Sequence, residues 1–122
     1  MDFKFEGEDS RGKVWSFKIG DVEYILFYTK KGGMRGGDYH SKRQYNIVLS
    51  GAIGLTILSK IFGEIPLTLK EGQSIAIQEE IPHYMISLTD SYVLEWHELP
   101  KTRKIYEPYR KIVMESIKNG KK

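Results

Sequence analysis

Turn signals cut this chain at close, regular intervals into apolar or alternating stretches of roughly five to eight residues, too short for helices. Phe3 and Phe5 alternate with charged side chains, and residues 14–19 end at Gly20-Asp21, a pair suited to a tight hairpin loop. Residues 22–29 (VEYILFYT) are rich in β-branched and aromatic side chains. Similar stretches recur at 44–50, 52–59, 65–70, 74–78, 83–88 and 92–97, with turn signals at Gly51 and Glu71-Gly72. Residues 30–37 (KKGGMRGG) read as a glycine-rich loop. This pattern predicts nine or ten short strands in an antiparallel sandwich or barrel and excludes βαβ units, which need a helix between strands.

The carboxyl end follows another period. Pro108 suits the first turn of a helix, where its missing N–H leaves nothing unpaired. Tyr109, Ile112, Val113 and Ile117 then recur at helical spacing, and Gly120 stands near a stop. The fold class expected is all-β with a short C-terminal α-helix, residues 1–100 forming the β domain and 101–122 a basic helix packed on it. A length of 122 residues fits one core.

Charge is divided the same way. Residues 1–98 hold 11 basic and 14 acidic side chains, and residues 99–122 hold 8 basic and 2 acidic. A nucleic-acid protein spreads basic residues over a face of its fold. Here they crowd one segment whose apolar stripe is short for a membrane-surface helix. Neither nucleic acid nor membrane is therefore expected as a partner. The chain has no cysteine, which removes disulfides, thiolate metal sites and cysteine nucleophiles. No run of 18 apolar residues occurs and the amino terminus is acidic, so a cytoplasmic location is expected. Sparse Asn and Gln beside abundant Lys and Glu match thermophile usage.

Two stretches carry chemistry: GGMRGGDYHSKRQYNIVLSG at 32–51 and GQSIAIQEEIPHYMIS at 72–87. They resemble the two motifs of the cupin superfamily, with Gly32, Asp38, His40, Gln44 and Gly51 at the positions of the first motif and Gly72, His83 and Ser87 at those of the second. The resemblance spans residues 22–97 and implies a cupin-type jelly-roll β-barrel or sandwich with a divalent-metal site inside (Fe, Mn, Zn or Ni). Its metal residues would be Asp38, His40, Gln44 and His83. Asp38 stands where cupins carry a first histidine, and Gln44 where they carry a glutamate. Residues i and i+2 of a strand share a face, so Asp38 and His40 can both point inward. Two imidazoles and a carboxylate make a facial triad suited to Fe(II) or a similar ion. Without metal, Asp38 and His40 would hydrogen-bond each other beside His83.

DSRGKVW at 9–15 and RGGDYH at 35–40 also resemble the dTDP-sugar epimerases and ketoisomerases. Arg35 and Gln44 match that pattern, and Asp38 replaces the base histidine. This resemblance implies metal-free sugar-nucleotide chemistry with Asp38 and His40 as catalytic residues. An aspartate base would need its pKa raised from about 3.9 to work near neutrality.

The remaining aromatic residues read as packing. Tyr39, Tyr45 and Tyr84 alternate against the site residues and should face away from them, while Trp15 and Trp96 read as core or interface anchors. His97 is expected to cap a strand end near the surface, the other option being a third imidazole in the cavity. The function expected is binding of a small polar ligand, a sugar or an organic acid. The protein would be either a metal-dependent enzyme such as a dioxygenase or isomerase, or a non-catalytic binding module. A two-fold homodimer is the expected assembly, since a small sandwich leaves edges and aromatic faces to cover.

Overall fold

A computed structural model describes residues 2–120; Met1, Lys121 and Lys122, the last two part of the expected basic helix, lie outside the described residues. Eleven strands precede one helix: β1 (Lys4–Asp9), β2 (Gly12–Ile19), β3 (Val22–Thr29), β4 (Met34–Tyr39), β5 (Gln44–Ser50), β6 (Ala52–Ser59), β7 (Gly63–Lys70), β8 (Ser74–Ile77), β9 (His83–Ser87), β10 (Ser91–His97), β11 (Lys104–Ile105) and α1 (Glu107–Gly120). One sheet runs β1-β2-β3-β10-β5-β8 and the other β11-β4-β9-β6-β7, with antiparallel pairing throughout. The two ladders stay separate, so the jelly roll is an open sandwich and not a closed barrel.

Inward positions change character along the strands. Val48, Ile53, Leu55, Ile77, Met85 and Val93 form the apolar core between the sheets. Each such side chain contributes about 1.5–3 kcal/mol on burial. Toward the other end the same faces carry Gln44 and Asn46 on β5, His83 on β9 and His97 on β10, all buried. A core that becomes polar midway along its strands needs a reason, because buried polar groups are costly unless paired.

Three expectations change. Residues 30–37 are not all loop: β4 begins at Met34, and its Gly36 and Gly37 adopt φ of 103° and 90° beside a register shift against β9. Glycine is required at Gly37, where a Cβ would stand 2.6 Å from the Cα of Arg110 on α1. The two-residue strand β11 has no hydrophobic period and is set only by its pairing with Tyr39 and Asp38. The expected helix over 101–122 forms only from Glu107, residues 104–105 pairing as β11 instead; on α1 Tyr109 and Val113 are buried, but Ile112 is 40% exposed and lies off the packed stripe.

Candidate metal centre

Asp38 lies near the end of β4, His40 just beyond it, and His83 opens β9 directly opposite Asp38 in the ladder. One donor atom from each falls within 4.8 Å of the others, and all three residues are buried. Asp38 Oδ1 is 3.5 Å from His83 Nε2 and 3.7 Å from His40 Nε2. Two donors about 2.1 Å from one ion stand roughly 3.0–3.4 Å apart, so this spacing is near what an ion requires.

The protons of both imidazoles are assigned by their outer partners. His83 Nδ1 donates to the Ile81 carbonyl at 3.0 Å, and His40 Nδ1 donates to the Thr102 carbonyl. A carbonyl only accepts, so in a neutral ring Nε2 is bare on both residues. Burial pushes the His83 pKa below the ordinary histidine value, against the raising effects of the Ile81 hydrogen bond and the Asp38 carboxylate, which favours the neutral ring. Asp38 Oδ2 accepts from Arg103 Nε at 2.6 Å, leaving Oδ1 turned inward.

Gln44 is brought to the same cavity with its amide committed elsewhere. His97 Nε2 donates to Gln44 Oε1 at 3.1 Å, and Gln44 Nε2 donates to Asn46 Oδ1 at 2.8 Å and Glu95 Oε1 at 3.0 Å. Asn46 Nδ2 also donates to Glu95 Oε1, at 3.2 Å. Glu95, with 14% of its side chain exposed, has its pKa pushed up to about 7, burial being the main cause. His97 does not cap a surface strand end: it is 5% exposed, because β10 runs mid-sheet and pairs His97 with Gln44. Its Nε2 stands 3.4 Å from His40 Nε2, while the buried Nδ1 has no partner. Burial, then the charge of His40, hold its pKa down to about 3.

The cavity these groups line measures about 340 Å³ and also receives Arg11, Arg35, Lys101, Arg103 and Arg110. Arg35 is 5% exposed, donates to Thr29 Oγ1 at 2.7 Å and Tyr28 O at 3.3 Å, and lies over the Phe27 ring at 4.9 Å. Burial lowers its pKa to about 10, so it stays charged at neutral pH. No carboxylate among the described residues forms an ion pair with it within 4.0 Å. Three basic residues of the tail, Lys101, Arg103 and Arg110, thus line the cavity.

The tyrosines face away as the alternation requires. Tyr45 stacks on Trp96 on the outer face of the six-stranded sheet, and Tyr84 meets Tyr109 of α1 edge-on. Glu95, Asn46, Thr102 and Arg103 were not singled out from the sequence. Inward polar positions in QYNIVLS and in SYVLEWH, on the face of Val48 and Val93, were the readable signal for Asn46 and Glu95. Thr102 and Arg103 arrive through β11 and carry no such signal.

Two antiparallel sheets in jelly-roll arrangement, with side chains from the first-motif strand and the second-motif histidine converging inside, define a cupin fold. No family model matches the chain, and no curated protein matches it. Among solved structures it is similar to the W96Y variant of oxalate decarboxylase from Bacillus subtilis, with a TM-score of 0.70 at 15% identity over 80% of this chain and 27% of that one. A further B. subtilis oxalate decarboxylase structure, concerned with the Mn(II) centres of that enzyme, aligns at 0.69 and 15% identity over 83% of this chain and 29% of that one. The capsular polysaccharide assembling protein CapF from Staphylococcus aureus aligns at 0.69 and 19% identity, covering 80% of this chain and 29% of that one. The chain therefore spans less than a third of these proteins, and the likeness is one of fold. No described helix is long and apolar enough to cross a membrane.

Proposed function

We propose that the protein binds one divalent metal ion through Asp38 Oδ1, His40 Nε2 and His83 Nε2 and uses it to hold a small organic acid in the cavity. One observation carries the metal: with Nδ1 of both rings turned to backbone carbonyls, His40 Nε2, His83 Nε2 and Asp38 Oδ1 all turn toward one point, and in the neutral rings all three are acceptors. A cation entering this group would be met by all three acceptors at once. Two imidazoles and a carboxylate suit Fe, Mn, Zn or Ni, and three protein ligands leave positions for a bound molecule. The structurally similar oxalate decarboxylase of B. subtilis has Mn(II) centres, which supports a divalent ion here.

The organic acid follows from the lining. Five cationic side chains and two carboxylates face the cavity, and a buried guanidinium without a carboxylate partner favours an anion. Arg35 would bind one end of the acid, and the ion would bind the other. Binding is the function; Asp38 and His40 become catalytic residues where the bound acid is also converted. Elemental analysis of protein purified without chelator or added metal should find close to one divalent ion per chain, and His40→Ala should lose it. A metal-free wild type that also fails to take up Mn, Fe, Zn or Ni would contradict the proposal.

A second reading is favoured by the Arg103–Asp38 pair, which compensates Asp38 without any ion. Here Asp38 and His40 act on a sugar nucleotide, as the RGGDYH resemblance implies. Turnover of a dTDP-sugar in excess chelator, abolished by Asp38→Asn, would establish it over the metal reading.

A further inference from the structure

The groups that orient two of the three donors do not come from the sheets that carry them. They come from residues 101–106, which cross the end of β4 on the way to α1. The Thr102 carbonyl takes the His40 Nδ1 proton, and Arg103 Nε holds Asp38 Oδ2 at 2.6 Å. The segment is fastened on both sides of these contacts. Thr102 Oγ1 accepts from the Ser41 N–H at 2.9 Å and shares a 2.7 Å bond with Ser41 Oγ. Tyr106 N donates to Gly37 O at 3.0 Å, and Arg110 Nη1 to Gly36 O at 2.9 Å. Tyr109 then anchors the helix, meeting both Tyr84 and Tyr106 edge-on.

We propose that residues 101–106 are a latch for the metal site: docked, they set the His40 tautomer and the Asp38 rotamer, so docking of the segment and binding of the ion are coupled. Thr102 and Arg103 are positioning residues that touch ligands and not the ion. The proposal rests on the metal reading above. Outer partners of metal ligands typically carry about 10- to 100-fold in affinity. Coupling is reciprocal, so an ion held more tightly by the docked state must make the segment open less often. Lys101, Arg103, Lys104 and Ile105 are exposed and none of residues 101–106 is fully buried, so few buried contacts oppose opening of the segment.

The test titrates wild type, Arg103→Ala, Arg103→Lys and Tyr109→Ala with MnCl2 by calorimetry, and follows amide exchange at residues 104–106 with and without Mn(II). Tyr109→Ala loosens the helix without touching a ligand, and the exchange measurement on wild type needs no variant to fold. The latch requires about 10- to 100-fold weaker Mn(II) binding in Arg103→Ala and Tyr109→Ala, recovery in Arg103→Lys, and slower exchange at 104–106 when Mn(II) is bound. Unchanged affinity in both alanine variants, or unchanged exchange in a wild type that does bind Mn(II), overturns the latch and leaves the metal reading standing. A wild type that binds no Mn(II) or other divalent ion overturns both.

Discussion

Asp38 Oδ1 and His83 Nε2 face each other at 3.5 Å, with the His83 Nδ1–H given to the Ile81 carbonyl on the other side of the ring. The two residues are register partners across β4 and β9, so the approach is built into the ladder. Metal should therefore stabilise the fold. At about a hundredfold excess over Kd the gain is about 2.7 kcal/mol, readable as a higher denaturation midpoint. His83→Ala should abolish that rise, and a variant that still shows it would place the ion elsewhere.

Gln44 is expected to matter for stability and not for metal. Gln44→Leu leaves Glu95, Asn46 and His97 short of partners in a buried site, at a cost of about 1–3 kcal/mol. Urea denaturation measures the loss, and metal content should stay at the wild-type level. Loss of the ion in this variant would return Gln44 to the ligand set.

Glu95 gives the metal-free protein a pH signature. Its pKa is raised from 4.5 to about 7 by burial, so between these values the folded state keeps a proton that the unfolded chain has released. The contribution of Glu95 should be greatest below the lower value and be lost as pH rises through the upper one, by about 3 kcal/mol over the window, while His97, held down to about 3, contributes with the opposite sign below about 6.5. Glu95→Gln should flatten this slope. The same pH dependence in wild type and in Glu95→Gln would show that Glu95 is ionised at no cost.

How far the sequence reveals the site depends on which contacts are local. The strand boundaries at 22–29, 44–50 and 52–59 coincide with β3, β5 and β6 because each is a β-rich run closed by a turn. Asp38, His40 and His83 are readable because their spacing resembles a cupin motif. The strand placement of Met34 and Arg35 was hidden in a run that looks like loop, because Gly36 and Gly37 serve close packing against β9 and α1 and not a turn. His97 depends on strand order: nothing local says that β10 lies between β3 and β5. Thr102 and Arg103 depend on the docking of a segment whose own pattern is featureless.

The outer face of the six-stranded sheet carries a run of contacting aromatic rings: Phe3 and Phe5 on Trp15, Phe3 on Phe17, then Tyr24, Trp96 and Tyr45. Phe3 and Phe5 remain 57% and 56% exposed in the single chain. We expect a two-fold dimer through this face, consistent with the tendency of large exposed apolar patches to be interfaces. Light scattering should give twice the 14.2 kDa chain mass, and Trp15→Glu should give the chain mass. A wild-type monomer at micromolar concentration would contradict it.

The most direct measurement is anomalous diffraction from crystals of protein purified without chelator, collected on either side of the absorption edge of the metal found in it. The account requires one peak bounded by Asp38 Oδ1, His40 Nε2 and His83 Nε2, with donor distances of about 2.0–2.2 Å. An empty triad in metal-replete crystals, or a peak outside it, would contradict the account.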